Sequence, residues 1–193
     1  MKMKFRTRLR LVVLLALLLC ALIGFAAGKF VQTITFEEKV VFTAELAEDF
    51  ILRESQAIRQ NDGSYQLSES KYIVNAAQEY ILIPGLDVPK DPHVVITGKT
   101  EIPAYLFIEV VNEVGNGAVT FSLRSCWQET QLREAQHGGT VYVYCDDAGK
   151  PIEVTTDLEV YILENDKITV GQKLLHGDSS DLLTFYAYLV EIQ

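Results

Sequence analysis

The feature that most restricts how this 193-residue chain can fold is a series of short runs in which apolar and polar residues alternate. Turn-forming residues close the runs, since Asp62-Gly63 suits a type I′ hairpin turn and Pro84-Gly85 a type II turn. Several closely spaced runs of this kind indicate a β-sandwich or barrel. DLLTFYAYLVEI (residues 181–192) predicts a central, well-buried strand. We therefore predict one all-β domain over residues 28–193, a sandwich of two packed sheets.

The N-terminus has the layout of an export signal. Five basic residues precede the apolar stretch of residues 11–25: Lys2, Lys4, Arg6, Arg8 and Arg10. Because positive charge is retained in the cytoplasm, the rest of the chain is expected outside the cell, secreted or held at the outer face of the membrane. Residues 1–27 are predicted to form a hydrophobic helix. It serves either as a signal peptide cleaved before Ala27 or as a membrane anchor, and it is the only membrane-contacting segment that we expect.

The exported part is strongly acidic. It retains 12 of the 17 basic residues and all 26 acidic ones, a net charge of −14 with neutral histidines. Such a domain repels phosphate backbones, so nucleic acid is excluded as a partner. Weak calcium binding by acidic loops stays open.

No residue pattern indicates catalysis. His93, His137 and His176 lack metal-ligand spacing and are predicted as exposed loop residues. Serine-nucleophile motifs are absent, and the many carboxylates form no defined pair. We therefore predict no catalytic, cofactor-binding or metal-ligating residue and no enzyme. A secreted hydrolase is the least favoured alternative.

Cysteine and aromatic residues give structural predictions. Cys126 and Cys145 both lie in the exported part, where an oxidising compartment permits a disulfide, with two free thiols as the alternative. Trp127 is predicted in the core. Five aromatic residues recur at period two in late strands, as core packing or as an exposed ladder for a sugar or partner: Tyr142, Tyr144, Phe185, Tyr186 and Tyr188.

The stretch YILIPGLDVPKDPHVVITG (80–98), followed by AYLFIEV (104–110), resembles the pattern Y-x-L-x-P-G-x-x-x-x-K-D-P-x-V-x-V of the TasA and camelysin group. That group comprises secreted proteins of Gram-positive bacteria. The order of Trp127, VYVY (141–144), ITV (168–170) and FYAYLVEI (185–192) is similar too. The resemblance spans most of residues 40–192.

The resemblance implies a jelly-roll-like sandwich that acts outside the cell, in the best-known members as a subunit of biofilm matrix fibres. The metalloprotease activity described for some members does not carry over, because no metal-ligand motif is present. The export region also differs, with GKFVQTITFEE where the group has a stretch like GGTLAYFTD. PGLDVPKDP is then a structural connector instead of an active-site lip, with five connector residues: Pro84, Gly85, Lys90, Asp91 and Pro92.

Three functions are predicted, in order of preference. The first is a surface or matrix protein that self-associates by donating residues 27–43 as a strand to a neighbour. Within this segment VQTITF (31–36) alternates, and the donor residues are Val31, Thr33, Ile34 and Phe36. The alternative for the segment is the first strand of its own sandwich, or a stalk. The second function is a module that binds cell-wall glycan or a surface protein, and the third is the hydrolase.

Overall fold

The computed structural model describes residues 32–40, 49–74, 76–100, 102–114, 118–172 and 182–192. Strands dominate these residues, so the predicted all-β class is confirmed. The strands are β1 Gln32–Val40, β2 Asp49–Arg59, β3 Tyr65–Val74, β4 Gln78–Leu82, β5 Asp87–Pro89, β6 His93–Thr97, β7 Ala104–Asn112, β8 Val119–Thr120, β9 Trp127–Glu129, β10 Thr140–Tyr144, β11 Glu153–Val154, β12 Leu158–Tyr161, β13 Lys167–Val170 and β14 Leu182–Glu191. A short 3₁₀ helix, Glu164–Asp166, precedes β13.

The described strands form three sheets. One has seven strands in the order β4-β1-β14-β7-β10-β9, with β11 also paired to β7. The second has the order β12-β6-β2-β3 and the third β5-β13-β8. The prediction of two sheets is therefore wrong in number. Pro89 and Pro92 flank the link between β5 and β6 and supply no backbone N–H, so the two strands separate and join different sheets.

All three sheets contribute to one main core. Buried side chains include Leu52 and Ile96 from the four-stranded sheet and Leu106 from the seven-stranded one. Val88 and Ile168 come from the three-stranded sheet. Each such aliphatic side chain contributes roughly 2 kcal/mol by leaving water. The arrangement is sandwich-like, and the jelly-roll topology stays a prediction.

Strand β14 is buried on both faces. Leu183, Phe185, Ala187 and Leu189 enter the main core, whereas Tyr186 and Tyr188 pack with Phe107, Val141, Val143 and Cys145 on the other face. β14 lies between β1 and β7. The prediction of a central, buried last strand is confirmed.

The two predicted turns have different outcomes. At Pro84-Gly85, the N–H of Leu86 donates to the carbonyl of Ile83 at 3.2 Å and Gly85 has φ 82°, which confirms the type II turn. The type I′ turn is wrong, because in loop 60–64 positive φ is confined to Gly63. The carboxylate of Asp62 accepts hydrogen bonds from the N–H and the hydroxyl of Ser64. This local capping favours a loop longer than the two residues of a type I′ turn.

The predicted signal or anchor, residues 1–27, lies outside the described residues. Among those that are described, no helix is long and apolar enough to cross a membrane.

Candidate functional site

Of the predicted donor segment, residues 27–43, the structure describes strand β1. Thr33, Ile34 and Phe36 belong to it, and Val31 lies outside the described residues. β1 pairs antiparallel with β4 and parallel with β14, in a register that puts Phe36 opposite both Gln78 and Leu183. Among the strands described, the β1–β14 pair is the only parallel one. Both backbone edges of β1 are therefore paired within the chain.

β1 occupies the gap between β4 and β14, which we call the slot, and apolar side chains of both strands are buried beside it. Tyr80 and Leu82 of β4 are fully buried on one side of it, as are Leu183 and Phe185 of β14 on the other. Without β1, the facing edges of β4 and β14 would present unpaired backbone groups next to this apolar surface. The slot therefore requires an extended segment that can form hydrogen bonds along both edges.

The connector residues Lys90 and Asp91 have partners far away in the chain. The ammonium of Lys90 contacts Oε2 of Glu54 on β2, and both side chains are fully buried. The carboxylate of Asp91 accepts hydrogen bonds from the backbone N–H and the hydroxyl of Ser55, each 2.7 Å long. Both connector residues are therefore held by partners on β2 that lie 36 positions away in the sequence.

Gln78 completes this buried polar cluster. Its Nε2 donates to Oε1 of Glu54 and to the carbonyl of Ser55, the latter at 3.2 Å. Its Oε1 accepts from the N–H of Ala57 at 2.6 Å, beside the irregular β2–β3 register between Ser55 and Ala57. Glu54, Gln78 and Lys90 thus connect the four-stranded sheet, the seven-stranded sheet and the end of β5.

The prediction that His93 is an exposed loop residue is wrong. Its side chain is fully buried and stacks on Tyr161 with ring centroids 4.5 Å apart. Nε of Arg53, which can only donate, lies 2.8 Å from Nε2 of His93. Nε2 therefore accepts, and Nδ1 carries the proton and donates it to the carbonyl of Asp91 at 2.8 Å. The neighbouring prolines and charges gave no sign of this burial.

A third buried carboxylate, that of Glu109 on β7, holds the loop of residues 130–139 against the outer face of the seven-stranded sheet. It accepts hydrogen bonds from the N–H groups of Gln136, His137 and Gly139, at 3.0, 2.8 and 2.9 Å. The hydroxyl of Tyr188 donates to it at 2.8 Å. Polar alternation would place Glu109 in solvent, but this loop covers it.

The environment of Glu109 has an electrostatic consequence. Burial raises the pKa of Glu109, but the N–H groups and the Tyr188 hydroxyl outweigh it and lower the pKa from 4.5 to about 2. Burial and the hydrogen bond to Glu109 raise the pKa of Tyr188. Glu109 is therefore ionised wherever the loop is in place, apart from strongly acid solution.

Of the remaining histidines, His137 lies beside Glu109, with its Nδ1 3.3 Å from Oε2 of Glu109 and 3.0 Å from the hydroxyl of Tyr188. The His137 ring stacks on Tyr186 with centroids 3.7 Å apart, and about a third of its side chain is exposed, 32%. His176 lies outside the described residues. In the part of the chain that the structure describes, no group of three or more His, Cys, Asp or Glu side chains could hold a metal ion.

The aromatic predictions are resolved in favour of packing. Trp127 is buried and its Nε1 donates to the carbonyl of Tyr161 at 3.0 Å. Tyr186 and Tyr188 are buried. Tyr142 and Tyr144 are half-buried against the main core, so these tyrosines form no exposed ladder.

Cys126 and Cys145 are free thiols in the structure. They are adjacent to the register pair of Trp127 and Tyr144 and continue its ladder, because the N–H of Cys145 donates to the carbonyl of Cys126 at 2.7 Å. Facing residues of antiparallel strands have Cα atoms about 4.5–5.5 Å apart, within the range of a disulfide. Burial raises the pKa of both thiols, which slows their oxidation.

We expect a mild disulfide oxidant to join Cys126 to Cys145 slowly and lower the mass of the protein by two hydrogens. Mass spectrometry with a peptide map checks this result. Cys145→Ser is the matched control and should not lose the hydrogens. A map that pairs Cys126 with Cys20 instead, or leaves it reduced, would contradict the prediction.

No protein-family model, curated protein or solved structure matches this chain.

Proposed function

We propose that the protein is an exported structural subunit that assembles into fibres at the cell surface or in the extracellular matrix. Each subunit donates β1 to the sheet of the next one. The observation that carries the proposal is the position of β1, parallel to β14 and between β14 and β4. The resemblance of residues 80–98 and 104–110 to the TasA and camelysin group, whose best-known members form matrix fibres, supports the same function.

Exchange of β1 between subunits conserves its interactions. A β1 strand from a second copy offers the same backbone hydrogen bonds to β4 and β14, so the exchanged state costs little at equilibrium. The donated strand and the slot are different surfaces. Such a head-to-tail contact need not close into a ring and then grows into a filament.

The acidic surface gives the assembly a salt dependence. Subunits with a net charge of −14 beyond residue 26, from 12 basic and 26 acidic residues, repel one another. Added salt screens this repulsion. Fibre growth is therefore faster at moderate than at low ionic strength.

We expect a chain that begins at Ala27 to form filaments and a chain that begins at Phe42 to form none. Light scattering and negative-stain microscopy measure the difference. In the longer chain, Thr35→Pro should also abolish filaments, because Thr35 lies in register with both Glu79 and Leu182 and proline lacks the N–H. Thr35→Val, which keeps the N–H, is the matched control and should assemble.

A peptide of residues 27–43 added to the shorter chain separates a missing strand from a failed fold. The peptide should bind to the shorter chain and raise its unfolding temperature. The complex should stay monomeric, because the peptide fills the slot and the shorter chain has no β1 strand to donate. If both chains are folded monomers and the peptide does not bind, strand donation is wrong.

A binding module is the second candidate, favoured by the outer edge of the four-stranded sheet. β3 is an edge strand with Tyr72 and Val74 exposed, at 46% and 44%, and Ile58 of neighbouring β2 is 47% exposed. An exposed apolar strand edge accepts an extended segment of a partner protein. A monomeric protein that binds a surface protein or cell-wall glycan, and loses the binding in Tyr72→Lys, would favour this function.

A further inference from the structure

We propose that Lys90 and Glu54 condense into an intramolecular isopeptide bond, so that an amide joins β2 to the connection between β5 and β6. The proposal does not depend on fibre assembly. Its basis is the direct contact of Nζ of Lys90 with Oε2 of Glu54, at two side chains with no exposed surface.

The reaction begins with a proton transfer inside this pair. The ammonium of Lys90 is in direct contact with the carboxylate of Glu54, and movement of one proton from Nζ to the carboxylate gives an amine beside a carboxylic acid. Only the uncharged amine has a lone pair that can attack a carbonyl carbon. The centroids of the Tyr80 and Phe185 rings lie 5.8 and 5.9 Å from Nζ, and the two rings hold the amino group beside the carboxylate of Glu54.

Gln78 is placed to stabilise the intermediate. Attack of Nζ on Cδ of Glu54 moves negative charge onto a carboxyl oxygen, and Nε2 of Gln78 already donates to Oε1. Gln78 is itself held by its bonds to the backbone of Ser55 and Ala57. A donor fixed before the reaction stabilises developing oxyanion charge without reorganisation cost. Gln78 therefore acts directly on the reacting carboxyl group, as a hydrogen-bond donor.

The reaction balances within the pair. The ammonium and carboxylate together become one amide and one water. Nζ forms a bond to Cδ, the bond from Cδ to Oε2 breaks, and Oε2 leaves as water with two protons that came from Nζ. The step needs no oxidant, reductant or other reactant. The proximity of the two groups in the fold replaces the activation that amide formation needs in solution.

The bond would have a mechanical effect. It would close a loop between residues that are 36 positions apart and join β2 of the four-stranded sheet to the residue that follows β5 of the three-stranded sheet. A covalent link at this point resists separation of the sheets under load and in denaturant.

Mass spectrometry of the full chain tests the proposal. The purified protein is first unfolded in acid and its two termini are identified. Its measured mass is then compared with the mass expected for the sequence between those termini, and a peptide map is made. We expect a mass lower by one water and a branched peptide that joins Glu54 to Lys90. Lys90→Met, which keeps a long apolar side chain, should show the unmodified mass. Gln78→Met should form the bond more slowly over a time course after refolding.

Each other result overturns a stated part of the proposal. Linear peptides and a full mass in the wild-type protein exclude the bond, whether or not any variant folds. A loss of ammonia with a branch from Lys90 to Gln78 makes Gln78 the acceptor and excludes Glu54 from that role. A water loss that persists in Lys90→Met arises elsewhere. Equal rates for Gln78→Met and the wild-type protein exclude a role for the Gln78 donor.

Discussion

Replacement of Glu109 by leucine is expected to lower the free energy of unfolding by about 3 kcal/mol or more. The lowered pKa, from 4.5 to about 2, corresponds to about 3 kcal/mol of stabilisation of the carboxylate in the fold. Leucine also leaves the N–H groups of Gln136, His137 and Gly139 and the hydroxyl of Tyr188 without an acceptor. Urea unfolding followed by the fluorescence of Trp127 measures the loss.

The pH dependence provides the control for this prediction. Because the pKa of Glu109 is lower in the folded state, its stabilisation is complete above pH 4.5 and is lost as the pH falls towards about 2. Glu109→Gln, which has nearly the same shape and no charge, removes this titration. The difference in stability between the wild-type protein and Glu109→Gln should therefore shrink across that window. A difference that is constant with pH would contradict the electrostatic role of Glu109.

Trp127→Ala is expected to cost about 3–5 kcal/mol, because the indole is 4% exposed and its loss leaves a large cavity in the core. The indole also contacts Tyr144, with ring centroids 5.6 Å apart, and donates to the carbonyl of Tyr161. It therefore connects β9 and β10 with the end of β12. Circular dichroism must follow this unfolding, since Trp127 is the only tryptophan of the chain.

Trp127→Phe separates packing from hydrogen bonding at this position. Phenylalanine fills most of the cavity but cannot donate to Tyr161, so the hydrogen-bond part of its cost should be about 1 kcal/mol. We expect its total cost to lie well below that of Trp127→Ala. Equal costs for the two variants would show that the hydrogen bond, and not the buried volume, determines the contribution of Trp127.

Alternating runs were sufficient to predict several strands. The run of residues 181–192, predicted as a central strand, contains β14, and the alternating residues HVVIT and TVYVY form β6 and β10. Each of these strands has a face that packs on the main core, and a period of two is the direct result of that packing. The sequence signal and the physical cause are the same, so the prediction succeeds.

The buried charged residues could not be predicted in the same way. Lys90 and His93 lie in a proline-flanked polar stretch that is typical of an exposed loop, and their partners Glu54 and Arg53 come from β2. Glu109 occupies the polar side of an alternating run, and loop 130–139 buries it. In each case burial depends on a contact between distant parts of the chain.

The parallel pairing of β1 with β14 also determines when the fold can be completed. β1 precedes and β14 follows all the other strands that the structure describes, so the central sheet closes only after nearly the whole described chain has been synthesised. Native contacts at such large sequence separation give a high contact order, which places folding on the order of milliseconds to seconds. Until β14 arrives, β4 is the only described strand that can pair with β1 in the sheet. A nascent chain therefore spends this interval with an open strand edge that other nascent chains can pair with.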